Sequence, residues 1–472
     1  MKKSVVGTVA IVLVAGVWLG TTWYTGTKLE SESAERIALA NAQLAQLDPE
    51  SDLVLSQVSF ERGFFSSHAR YALTVADKGA EPDLRLEFDN VYEHGPFPAS
   101  ALKQGQLLPQ LAFVRSELAN TADGQAWFEL AKGKAPLLSE VLLSYGGNAK
   151  FDVRFAPLEM ASEELSFMFA GADLNGTFKA DKEHAQGVFR APELNMITRT
   201  NSSGLVKFSL KDSQLDFDSP KNAFGIQTGD AELRIAQLSV SEEEGFDLVV
   251  DKLAYGGSST EDAQFMQGKA YLNTGSVSLN GQDFGSQALT IKMDKIDGKA
   301  MKQFSDLYSQ LMAQSEEDDA FAGSDALMQA GMNLLAANPT LALDDFSWTT
   351  PQGRSTLAVH SEWQAPASLQ MPVAVLASQA VKQINIDLNL NKPMAVDLLA
   401  KYLQGSEDME APEAQALAEQ QVDEILAGMG MFGLLKAEGD TVSSQVQYDG
   451  SSIIVNGQPL PTEALLGLMM AM

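Results

Sequence analysis

Cysteine is absent from all 472 residues of the chain. Lipoprotein acylation, thiolate metal ligation and disulfide stapling are thereby excluded, and a thiol-free chain enters an oxidising compartment without mispairing, which is compatible with export. Positive charge is scarce: 33 Lys and Arg stand against 62 Asp and Glu, a formal net charge of -29. That field repels a phosphate backbone and no basic cluster interrupts it, so no nucleic-acid partner is expected. It also disfavours adhesion of the chain as a whole to anionic headgroups, so membrane attachment has to come from insertion.

Histidine is nearly as scarce. His68, His94, His184 and His360 are well separated and read as structural. No G-x-S-x-G elbow, H-E-x-x-H pair or P-loop occurs. The one G-x-G-x-x-G match, Gly428-Met429-Gly430-Met431-Phe432-Gly433, ends a helical stretch where a dinucleotide site needs a preceding strand, so it reads as an apolar helix end. Glu242-Glu243-Glu244 and Glu316-Glu317-Asp318-Asp319 lack the spaced oxygens and turn glycine of a calcium loop and read as solvated charge. No catalytic residue, cofactor or metal site is expected, and the chain reads as a non-enzyme.

Uncharged apolar runs of membrane-spanning length are confined to residues 5–24, behind Lys2 and Lys3. About 20 apolar residues cross the hydrocarbon core as a helix. Trp18, Trp23 and Tyr24 stand at the far end, where aromatic rings favour the interface and where a signal-peptide cleavage site would need small residues. The run is therefore expected to be a retained anchor with a cytoplasmic N-terminus and the bulk of the chain periplasmic. Residues 28–47 predict a juxtamembrane helix with Ile37, Leu44 and Leu47 on one side, stopped at Asp48-Pro49 and able to act as a spacer of about 30 Å.

Hydrophobic residues at 45% and charged residues at 20% describe a folded chain. The fold class expected is α+β and β-rich: the transmembrane helix, then an extended, curved antiparallel sheet, then a mixed helix and strand part. The segments are a tail at 1–4, the anchor at 5–25, the juxtamembrane helix at 26–48, a β-rich domain at 49–297 and an α+β domain at 298–472. In the β-rich part, period-two runs such as Leu84-Arg85-Leu86-Glu87-Phe88 predict half-buried strands, and Asn175-Gly176 and Asn280-Gly281 suit tight hairpin turns. Residues 123–143 are densely apolar and predict a helix broken at Gly133 and Pro136. The alike phrases Leu143-Ser144-Tyr145-Gly146-Gly147 and Leu253-Ala254-Tyr255-Gly256-Gly257 raise a duplicated unit. Further on, helices are predicted at 301–312, 319–337, 394–404 and 412–436, strands at 341–348, 354–363, 383–390 and 443–448, and a Leu/Met-rich helix at 461–472 that closes the core.

Two phrases predict rigid corners. Arg62-Gly63-Phe64-Phe65-Ser66-Ser67 sets a permissive glycine between strands, and His94-Gly95-Pro96-Phe97-Pro98 is non-helical and follows a strand. Arg62, Gly63, Phe64, His94, Gly95, Pro96 and Phe97 are the candidate structural or interaction residues. Together with Trp23-Tyr24-Thr25-Gly26 and Val455-Asn456-Gly457-Gln458, in the same order along the chain, these phrases resemble the YdgA-like family. The resemblance implies a Gram-negative inner-membrane protein with one span, a large periplasmic portion and self-association as a homodimer; it carries no catalytic or ligand-binding residue. Tether and sheet also resemble, at a distance and without a shared motif, the AsmA-like envelope proteins. The function expected first is binding of a hydrophobic envelope component such as lipid, or support of envelope assembly; second, scaffolding through an envelope protein contact; third, envelope hydrolysis.

Overall fold

The computed structural model describes residues 37, 38, 41, 42, 44 and 51–460, except 64, 78–79, 163, 201–203, 244, 315–323, 367–378, 407–408 and 432. The expected anchor with Trp18, Trp23 and Tyr24, the corner residue Phe64, the acidic run 316–319 and the terminal segment 461–472 lie outside the described residues. Among the described residues no helix is long and apolar enough to cross a membrane. The chain divides into two compact units, one of Met1–Asn201, Lys207–Ala231 and Asp306–Ala322, the other of Ser202–Val206, Glu232–Ser305 and Gly323–Met472.

The first unit opens with three long strands, β1 (Ser51–Arg62), β2 (Ser66–Asp77) and β3 (Ala80–His94). A short helix α1 (Ala99–Lys103), β4 (Ala112–Leu118), helix α2 (Gln125–Leu130), β5 (Leu137–Leu143) and β6 (Ala149–Phe155) follow. Then come β7 (Leu158–Ala161), β8 (Leu165–Phe169), β9 (Ala172–Lys179) and β10 (His184–Thr200). Each of β1 to β5 pairs antiparallel with the next, β6 pairs with β9, and β10 pairs with β9 through its first half and β8 through its second. Alternation does the rest. Leu53, Leu55, Leu73, Leu86, Phe88, Val114, Val141 and Phe151 share one buried face, covered by Trp127 and Phe128 of α2 and by Ile37 and Leu44. The other face is polar, with Arg70 bidentate on Asp89 at 2.6 and 3.0 Å and Arg154 bridging Asp152 and Glu140.

Residues 37, 38, 41, 42 and 44, in the segment expected to be helical, are helical and lie against the first sheet. Leu44 is 1% exposed within the core, and the Asn41 side chain makes both backbone hydrogen bonds of Leu55, donating to its carbonyl at 3.1 Å and accepting from its N–H at 2.7 Å. This part of the segment lies on β1 because its apolar side has a sheet face to bury against. A correction falls at 123–143: only Gln125–Leu130 is helical, and Leu137–Leu143 is a strand paired on both sides, with β4 and β6. Leu138 and Leu142 stand on the polar face beside Glu140, so the run is apolar on both faces and has no period to separate it from a helix. Asn175-Gly176 is likewise no turn; both residues sit inside β9.

Tyr71 and Tyr92 are each 5% exposed on the buried face, where their phenol groups interact with one another. Burial pushes both phenols above their ordinary range. Because the folded state raises these values, their contribution is fully present below the unfolded phenol range near pH ~10 and is lost as pH rises beyond it. Hydrogen-exchange protection of β2 and β3 is therefore expected to fall steeply between about pH 10 and 12, and Tyr92→Phe to flatten that fall.

Two long strands, β11 (Gly204–Ser219) and β12 (Gly229–Glu242), carry the chain onward. The second unit contains β13 (Asp247–Glu261), β14 (Phe265–Asn273), β15 (Ser276–Leu279), β16 (Gln282–Asp283) and β17 (Ser286–Asp297). Asn280 and Gly281, both at positive φ, form the tight turn expected between β15 and β16. Leu253–Gly257 lies within β13 while Leu143–Gly147 runs from β5 into a turn, so the alike phrases are not a repeat. β17 passes directly into α3 (Gly298–Gln314), where the α+β part was expected to begin, and α4 (Ser324–Leu335) follows.

Strands β18 (Thr340–Thr350), β19 (Gly353–Trp363) and β20 (Val381–Asn391) contain the expected strands, as α5 (Lys392–Ser406) contains its expected helix. α6 (Ala411–Met431) stops short of 436, because Gly433 at positive φ ends it and Lys436 opens β21 (Lys436–Glu438). The chain closes with β22 (Thr441–Tyr448), β23 (Ile453–Val455) and β24 (Gln458–Leu460). α5 and α6 share an apolar seam of Val396, Ala400, Leu403, Ala414, Ala418 and Val422.

Candidate functional site

The two corners singled out in the sequence meet. Gly63 N–H donates to Ser66 O at 2.8 Å to turn β1 into β2, and at the neighbouring corner His94 N–H donates to Phe65 O at 2.9 Å. The side chains join as well, with Ser67 Oγ and His94 Nε2 at 2.9 Å. Gly95 N–H donates to Leu111 O at 2.7 Å and Gln110 N–H to Pro96 O at 2.8 Å, so the second corner is also stitched to the segment entering β4. Glu93 fixes α1 by accepting from Ser100 N–H at 2.7 Å and Ser100 Oγ at 2.6 Å.

A serine and a histidine at this distance are half of a nucleophile and base arrangement. Ser67, however, has no exposed surface. The bond satisfies a polar group that would cost about 1–3 kcal/mol to bury alone, and it reads as a staple between the corners. The other histidines do not join it: His184 Nε2 is 2.6 Å from Asp218, and His360 is 3.6 Å from Asp344. Among the described residues no group of three His, Asp or Glu is placed to hold a metal ion.

Around the staple, apolar side chains face solvent. Phe65 is 79% exposed and Phe97 52%, and beside them in the return loop Leu107 and Leu108 are 75% and 74% exposed. Leu111 N–H donates to Leu143 O, so the β5–β6 turn with exposed Tyr145 lies at the same end of the sheet. Arg62, which pairs with Ser67 across the first corner, is exposed at this rim. Sequence reasoning found the corners but not Leu107, Leu108 or Tyr145; the acid-free stretch 94–112 was the available signal.

The second unit carries a broader apolar surface. Directly opposed residues of an antiparallel pair point to one face, and register aligns Leu272 with Leu289, Met293 with Leu341, Ile291 with Leu343 and Phe346 with Leu357. Val359, Ile386, Val446 and Val455 continue the row through β19, β20, β22 and β23. Along β14, β17 and β18 this face is open: Leu272, Ile291, Met293 and Leu341 are 37–48% exposed. Toward β19 and β20 the start of α5 closes it, with Asn391 N–H donating to Ser355 Oγ at 3.0 Å and Met394 2% exposed. The opposite face is polar, and the Lys292 ammonium 2.6 Å from Asp344 holds that carboxyl below the usual carboxylate range.

Comparison with known proteins follows the same outline. The family model described as a bacterial protein of unknown function (DUF945) matches residues 1–463. Protein YdgA of Escherichia coli (strain K12) is 27% identical, over 99% of this chain and 97% of its own. The uncharacterized protein YihF of the same organism is 25% identical over 99% and 98%, and an uncharacterized protein of Haemophilus influenzae is 22% identical over 64% of this chain and 85% of its own. No solved structure matches.

Proposed function

The chain belongs to the DUF945 family of bacterial proteins of unknown function, and from that premise we propose a non-enzymatic periplasmic protein, tethered to the inner membrane through residues 5–25, that holds a lipid of the envelope on the apolar sheet face of its second unit. The tether reading is supported by the uncharged run 5–24 behind Lys2 and Lys3. The lipid reading is carried by the exposed row Leu272, Ile291, Met293 and Leu341 on a face that is otherwise apolar in register.

Size supports it too. The open part of the face, on β14, β17 and β18, runs about 30 Å along the strands and about 10 Å across them, against about 15 Å for the hydrocarbon of one leaflet. Each methylene covered contributes about 0.8 kcal/mol, so eight resting on the face contribute roughly 6 kcal/mol.

Native mass spectrometry of gently extracted full-length protein tests this reading. Bound lipid is expected in the wild type, and Ile291→Glu/Met293→Glu is expected to lower lipid occupancy at least about tenfold, because a carboxylate against hydrocarbon costs several kcal/mol. Both positions are exposed, so stability should move by no more than about 1 kcal/mol. Wild-type protein that carries no lipid, or a double variant that keeps it, removes the proposal.

A further inference from the structure

The apolar rim of the first unit faces a different surface. We infer that the converging corners, with Phe65, Phe97, Leu107, Leu108 and Tyr145, dip into the headgroup layer of an anionic bilayer. Three observations carry this. These side chains are exposed at loop and turn positions at one end of a sheet, where a soft interface can take them up together. Aromatic rings and leucines are also the residues that settle at a membrane boundary.

Charge is the second observation. Acidic residues make up 62 of the 472, yet none occurs in residues 62–69, 94–112 or 143–150, the segments that build this rim. They contain Arg62, Lys103 and Lys150 instead, all exposed. A chain of net charge -29 is repelled by anionic lipid as a whole; this end is the local exception, and repulsion of the remainder orients it toward the headgroups. Acidic residues border this rim at Glu61 and at Glu93, whose carboxylate is taken up by Ser100, and resume farther along the same end at Asp181 and Glu183.

The third observation is reach, and it rests on the tether reading above. Ile37 and Leu44 pack on this unit and Asn41 is bonded to β1, so the unit is joined firmly to the segment that follows the anchor. Between Tyr24 and Ile37 lie residues 25–36, which extend to no more than about 40 Å. The unit is thereby confined near the bilayer, and a weak contact is reinforced by that confinement.

The absence of cysteine allows single labels. Full-length protein is reconstituted into phosphatidylethanolamine/phosphatidylglycerol vesicles containing nitroxide-labelled acyl chains, with a fluorophore on Leu108→Cys or on Ala122→Cys, an exposed position beyond the far end of β4. The label at 108 is expected to be quenched at least about threefold more than the label at 122, and Arg62→Glu/Lys103→Glu/Lys150→Glu to erase the difference. Flotation with the vesicles, scored in the same samples, reports the anchor separately. Protein that floats with equal quenching at both positions overturns the rim contact and keeps the anchor; protein that does not float overturns both. Protection at 108 that follows protein density instead of lipid quencher assigns the rim to a second copy of the chain and also overturns the inference.

Discussion

Gly95→Ala is expected to destabilise the first unit by about 3–5 kcal/mol, a large part of what a domain of this size possesses. A Cβ at this position would lie 2.0 Å from Gln110 O and 2.7 Å from Leu111 O, both backbone atoms that no side-chain rotation can move. Relief requires the 110–111 segment to retreat by about an ångström or more. That retreat stretches Gly95 N–H to Leu111 O, Gln110 N–H to Pro96 O and Leu111 N–H to Leu143 O, all at 2.7–2.8 Å. Three such bonds at a net ~1 kcal/mol each account for the lower bound. Hydrogen exchange resolved by segment is the suitable measurement, because two compact units need not melt together. Protection should fall in β3, β4 and β5 first. Gly146→Ala is the matched control: its Cβ would meet nothing closer than Ser144 Oγ at 3.9 Å, and a change above about 1 kcal/mol there would show that any added methyl at this end is harmful, removing the argument from backbone contact.

How much of this was legible in the sequence differs from part to part, for physical reasons. Strands β18, β19, β20 and β22 and helices α3 and α5 were readable because one face of each is polar and the period survives. β5 was not, since Leu138 and Leu142 share the polar face with Glu140 and its apolar run therefore shows no clean period. The corners were readable from Gly63, which permits a tight turn, and from Gly95-Pro96, where the proline fixes the backbone. Their meeting was not, because the Ser67–His94 bond joins residues 27 positions apart and depends on the register of β2 with β3. Leu107 and Leu108 look like ordinary loop residues until the fold leaves them uncovered. The open face of the second unit carries the same alternation as the covered face of the first, and only the packed structure separates them.

Asn175-Gly176 shows the same limit and leads to the second large effect. In isolation the pair signals a hairpin turn, but here Gly176 pairs directly with Gly187 of β10, and the notch between them receives aromatic rings from both sides. A Cβ on Gly176 would lie 2.4 Å from Phe151 Cζ and 2.4 Å from Gln186 O; one on Gly187 would lie 2.8 Å from Phe217 Cζ. The glycines are therefore present for close approach of the rings over the backbone, as interior strand glycines often are. Phe151 is 4% exposed, so Phe151→Ala alone is expected to cost about 3–5 kcal/mol through lost burial and the cavity left behind. Gly176→Ala alone is expected to cost about 2–4 kcal/mol, because it expels that ring and crowds the Gln186 carbonyl. In the double variant the ring can be lost only once, and the added methyl fills part of its space. The combined loss should then fall short of the sum of the single losses by at least ~1 kcal/mol. Chemical denaturation followed by exchange protection of β6, β9 and β10 measures all four corners of the cycle. Strict additivity would mean that ring and glycine do not act together, and would leave Gly176 explained by the Gln186 carbonyl alone.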